Sequence, residues 1–128
     1  MSLKNWEING ISLHLDLEDA AAIERYEDAF DAMAEEEKKI PKDGKASKRI
    51  RAYCEMYRHL YDKIFGDGTA DKIFGDTMNA AVYDEVYDSF LEFVRGQLTA
   101  AAKRRSEHLN KYRPNRAQKR AAAKAKNK

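Results

Sequence analysis

The sequence predicts a mainly α fold: an N-terminal β-hairpin packed on a bundle of three long helices plus one short helical turn, with a basic C-terminal extension. Three observations carry this. Around Asn9-Gly10, apolar and polar residues alternate from Trp6 to Leu15, and Asn-Gly suits the two positive φ angles of a type I′ turn. After Asp16, apolar residues recur at three- and four-residue steps in three separate runs, the period of amphipathic helices. Between the second and third runs, the pentapeptide Lys-Ile-Phe-Gly-Asp occurs twice, at 63–67 and 72–76. Glycine just past the last buried residue is a common helix stop, so the repeat reads as a double stop.

Each element follows from its own residues. Trp6, Ile8, Ile11, Leu13 and Leu15 give the hairpin one apolar face, and a lone hairpin is marginal in water, so this one must pack on the helices or pair with another chain. His14 falls on the opposite, solvent side. Asp16 offers an N-cap for a first helix over about 17–39, with acids in the first turn where the dipole favours them. Its stripe is Ile23, Tyr26, Phe30 and Met33, and carboxylates fill the other faces without a histidine at metal-ligand spacing. Pro41 ends this helix, and Ser47 is placed to cap the next. Ile50, Tyr53, Cys54, Tyr57, Leu60, Tyr61 and Ile64 form the second stripe, which reads as core rather than as a base-stacking platform.

At the corner, Ile64, Phe65, Ile73 and Phe74 should dip into the core, and Thr69 is placed to cap a short helical turn over Ala70–Phe74. Asp67-Gly-Thr-Ala-Asp71 lacks the alternating oxygen ligands and distal glutamate of a calcium loop, and no strand or Gly-Lys-Ser/Thr makes Gly66-Asp-Gly68 a phosphate loop. From about Asn79, Val82, Tyr83, Val86, Tyr87, Phe90, Phe93, Val94 and Leu98 mark the main packing helix, which can continue to about Tyr112 before Pro114. A single domain over 1–112 and a basic flexible tail over 113–128 follow, the tail having no apolar stripe.

Composition narrows the function. With 128 residues the chain can bury a core without metal or disulfide support. The single cysteine, Cys54, excludes an internal disulfide and sits in a buried helical stripe. No apolar run nears the roughly 20 residues of a membrane span and no signal sequence opens the chain, so the cytoplasm is the expected compartment. Net charge of +2 hides a polarity: residues 1–39 hold 11 acidic and 4 basic side chains, whereas residues 98–128 hold 1 and 11. Such asymmetry fits an anionic partner or a complementary surface on another copy. With no Ser/His/Asp set, metal spacing or cofactor loop, no enzyme is expected, and no catalytic, cofactor-binding or metal residue is assigned.

Three segments in order, Trp6–Phe30, Ile64–Asp76 and Tyr112-Arg-Pro-Asn-Arg-Ala-Gln-Lys-Arg120, resemble the small tail assembly chaperones of long-tailed (siphovirus-type) bacteriophages of Gram-positive hosts. The resemblance implies a helical, non-enzymatic protein that binds the tape measure protein and keeps it soluble in the host cytoplasm. It also implies departure before the virion matures, homo-oligomers, and a frameshifted longer form. Partner contacts are then expected at Trp6, Ile8, Ile11 and Leu13 of the hairpin and at Lys103, Arg104, Arg105, Arg113, Arg116 and Arg120 of the basic end. The alternative is a small nucleic-acid-binding accessory protein acting through that basic end, whose affinity would fall steeply with salt.

Overall fold

Strands β1 (Asn5–Ile8) and β2 (Ile11–His14) pair antiparallel, with Trp6 opposite Leu13 and Ile8 opposite Ile11. Asn9 and Gly10 between them have φ of 48° and 80°, the two positive angles that a type I′ turn requires. The computed structural model describes residues 3–111. Helices α1 (Ala20–Lys38), α2 (Ala46–Phe65), α3 (Thr69–Phe74) and α4 (Ala80–Asn110) follow the hairpin, so the mainly α fold with an N-terminal hairpin, three long helices and one short helical turn is the fold observed.

The chain divides into two units, Met1–Gln97 and Leu98–Lys128. In the first, Trp6 organises the core. Its ring lies 5.6 Å from Tyr61 and 6.0 Å from Phe65 of α2, and 5.1 Å from Phe90 and 6.5 Å from Phe93 of α4. The indole N–H donates to Ser89 Oγ at 3.0 Å, so the one polar atom of the side chain is satisfied. Cys54, Leu60, Tyr61, Ile64, Tyr83 and Phe90 are fully buried around this stack. Helix α1 closes the unit with Ala22 and Ala29 buried, while Ile23, Tyr26, Phe30 and Met33 are half-buried against the core.

Several boundaries differ from the sequence expectation. The first helix starts at Ala20, capped by Asp19, whose carboxylate accepts from Ala22 N at 3.1 Å, and its first turn carries no acid. Asp16 instead accepts from Glu18 N at 3.0 Å and pairs with Lys4 at 3.2 Å, the Glu18 hydrogen bond foremost holding its carboxyl below the usual range. This later start leaves Leu17 outside the helix and buried. Helix α2 begins one residue before Ser47, with Lys45 at the N-cap and no side-chain cap. Ile50 is exposed, whereas Met56 joins the buried stripe.

The corner keeps its two glycine stops but is wired differently. Gly66 and Gly75 have φ of 117° and 58°, yet their ψ values of 156° and −131° lie outside the left-handed helical well. Thr69 does not cap α3: its hydroxyl donates back to Gly66 O at 2.7 Å, and Asp62 Oδ1 accepts from Ala70 N at 2.8 Å. Ile64, Ile73 and Phe74 are buried as expected, while Phe65 is only half-buried. The Arg58 guanidinium fastens the corner from α2, donating to Gly75 O at 3.0 Å and Tyr83 Oη at 2.9 Å and pairing with Asp71. Tyr83 in turn donates to Thr77 O at 2.7 Å.

Helix α4 starts at Ala80, where Asn79 Oδ1 accepts from Ala81 N at 2.9 Å. Near the end of the first unit the buried position is Gln97, not Leu98, which is 41% exposed. In the second unit Ala101 is buried, and Lys103, Arg104, Arg105 and Leu109 are exposed. Tyr112, Pro114 and the tail over 113–128 lie outside the described residues.

Candidate partner-binding groove

The half-buried stripe of α1 leaves an opening where three helices meet. Helix α1 supplies Met33 and Glu37, the loop after it Ile40, Pro41 and Lys42, helix α2 Tyr53, Met56 and Tyr57, and helix α4 Tyr87. Together they bound a groove of about 480 Å³. The loop that follows α1, with Pro41 barring a continued helix, keeps Ile40 on the groove's rim. The helical period then places Tyr53 and Tyr57 one turn apart on α2 and turns both toward α4.

The tyrosines form a linked cluster. Tyr53 and Tyr57 meet edge to face, with centroids 5.1 Å apart and planes at 86°, and Tyr57 lies 5.0 Å from Tyr87. Tyr53 Oη donates to Asp84 Oδ1 and is 3.1 Å from Tyr57 Oη, which donates to it in turn because the carboxylate takes the Tyr53 proton. Burial pushes the Tyr57 phenol up, reinforced by the carboxylates of Asp84, Glu37 and Asp88. Burial, with the Tyr57 and Tyr26 phenols and Glu37, does the same at Tyr87. These phenols are therefore neutral hydrogen-bonding rims on apolar rings, not nucleophiles or bases near neutral pH. Met33, half-buried on α1, adds an unbranched side chain that adapts to the shape of what it touches.

A second groove, of about 380 Å³, runs along β1, bounded by Leu3, Asn5, Trp6 and Glu7 on one side and Ser89, Glu92, Phe93 and Gly96 of α4 on the other. Of the expected hairpin contacts, Trp6 is only 3% exposed and belongs to the core, a correction to its assignment as a partner-facing residue. Its aromatic environment explains why: a large ring with one polar atom is best placed where both can be satisfied. Ile8, Ile11 and Leu13 are partly buried against the same core. Lys103, Arg104 and Arg105 sit exposed on α4 in the second unit, and Arg113, Arg116 and Arg120 lie outside the described residues.

The groove itself is not evident from sequence because Tyr53, Tyr57 and Tyr87 read simply as core stripe. The usable signal is their identity: tyrosine rather than phenylalanine at three stripe positions marks rings with one wet end. Among the described residues no group of three or more His, Cys, Asp or Glu side chains is placed to hold a metal ion. Among them, too, no helix is long and apolar enough to cross a membrane. Cys54 is fully buried, and its burial pushes the thiol up and away from reactivity.

No curated protein and no solved structure matches the chain. Over residues 9–123 the chain matches a family of unknown function (DUF6673), which spans the hairpin turn and all four helices, and it belongs to that family.

Proposed function

We propose that this protein is a tail assembly chaperone of a long-tailed bacteriophage: a non-enzymatic protein that binds the tape measure protein in the host cytoplasm, keeps it soluble, and is not retained in the virion. The observation that supports this reading is the groove between α1, α2 and α4. A chaperone for long apolar helices needs a concave apolar surface that accepts a helix face, adaptable side chains, and a charged exterior that keeps the complex in solution. Met33, Ile40, Tyr53 and Tyr87, the partly exposed lining, supply the first two, and the exposed carboxylates of α1 supply the third. The sequence resemblance points the same way, with self-association and a frameshifted longer form as parts of the proposal.

Co-expression tests it. A tape measure protein that is insoluble alone should become soluble beside this chain, and Tyr87→Glu, which puts a charge on the groove wall while circular dichroism shows the helices intact, should abolish the rescue. Rescue that survives Tyr87→Glu, together with tight, salt-sensitive DNA or RNA binding lost on deletion of residues 113–128, would replace this reading with the nucleic-acid one.

A further inference from the structure

We infer that the groove takes a cationic amphipathic helix, whose apolar stripe seats on Met33, Ile40 and Tyr87 while flanking lysines or arginines reach Glu37, Asp84 and Asp88. The inference rests on the groove reading above and names the chemistry of the segment that fills it. Charge complementarity carries it. Glu37 lines the groove and is exposed, and Asp84 stands at its edge, fixed by the hydrogen bond it accepts from Tyr53. Asp88 lies one turn further along α4, exposed, and like the other two is near enough to bear on the Tyr57 phenol. Among the described residues the lining itself holds one acid, Glu37, and one base, Lys42, so the excess of negative charge comes from Asp84 and Asp88 beside it.

Ring chemistry adds to this. Tyr53 and Tyr87, both half-buried, present rings at a partly dehydrated site, and π faces attract ammonium and guanidinium groups. An acidic segment or a phosphate backbone arriving here would meet like charge, which costs affinity and slows encounter. The apolar floor meanwhile asks for a stripe of Leu or Met side chains, since a uniformly basic peptide would leave Met33 and Ile40 uncovered. A helix with both properties satisfies floor and rim at once.

The test is calorimetric titration of the intact protein with two synthetic helical peptides. They share one Leu/Met stripe and differ only in whether lysine or glutamate flanks it. The lysine peptide should bind at least about tenfold more tightly at low ionic strength, with the gap narrowing as salt rises. In the double variant Glu37→Lys/Asp88→Lys the order should reverse, and in Glu37→Gln/Asp88→Asn the gap should close; all four substitutions are at exposed sites. Equal binding of the two peptides, or preference for glutamate, would overturn the charge inference and leave the groove reading standing. Binding of neither peptide would overturn both. If it came with self-association in sedimentation that Tyr87→Glu abolishes, the occupant would be a second copy of this chain.

Discussion

Gln97 ties the two ends of the first unit together through one amide. Its Oε1 accepts from Leu17 N, and its Nε2 donates to Leu15 O at 2.9 Å and Leu3 O at 3.1 Å. At 4% exposure, the side chain holds three backbone groups that flank the hairpin and precede α1. Gln97→Leu would keep the volume and strand all three, so about 2–6 kcal/mol of stability should be lost, at roughly 1–3 kcal/mol for each of the two fully buried groups and less for the outer carbonyl of Leu3. Urea unfolding measures it, and a loss under about 1 kcal/mol would mean that water replaces the amide. Periodicity could not have found this residue: positions 97 and 98 both continue the stripe from Phe90 and Val94, and hydrophobicity favours Leu98. The structure chooses Gln97 because a chain entering a helix without regular pairing has backbone groups that something must satisfy.

At the scale of elements, the corner between α2 and α4 shows what local sequence carries and what it does not. The hairpin and the glycine stops are readable because a type I′ turn and a helix end each ask for particular residues at fixed offsets. Caps are less legible. Asp16, Ser47 and Thr69 all have the right chemistry, but Asp19 caps α1, no side chain caps α2, and Asp62, in the last turn of α2, caps α3. A cap reaching across eight residues depends on how two helices meet, which no local pattern records. Asp62→Ala should therefore cost about 1 kcal/mol, the usual size of a lost cap, with the fold retained. Phe74→Ala should cost more, about 3–5 kcal/mol, because that ring is buried and stacked 3.8 Å from Tyr83. Phe65→Ala should fall clearly below Phe74→Ala, since Phe65 is only half-buried. Equal losses at the two phenylalanines, measured by urea unfolding, would show that Phe65 packs into the core as fully as Phe74. The groove was illegible for a related reason: its walls come from α1, α2, α4 and a loop, and only their meeting leaves the space open.

For the first unit as a whole, the dominant chemical fact is a core built on phenols. Burial pushes Tyr26, Tyr53, Tyr57, Tyr61, Tyr83 and Tyr87 all upward, and the Tyr61 hydroxyl is buried with no hydrogen-bond partner among the described residues. A folded state that holds its phenol protons more tightly than the unfolded chain binds more protons once pH passes the ordinary phenol value. Stability is then fully present below about pH 10 and falls as pH climbs toward the raised folded values. Cys54, pushed the same way by burial, begins its smaller contribution to that loss nearer the ordinary thiol value, about pH 8.5. The urea midpoint should therefore stay level between about pH 6 and 8, slip slightly above that, and drop steeply beyond about pH 10. Tyrosinate absorbance followed alongside circular dichroism separates this from a passive surface titration. Most phenols should ionise together with the loss of helix, and Cys54→Ala should remove the early slip while leaving the steep fall. Reversible ionisation of all the tyrosines near pH 10 with the helical signal unchanged would show that these rings are open to water in the native state, and would remove the basis for an aromatic groove with neutral rims.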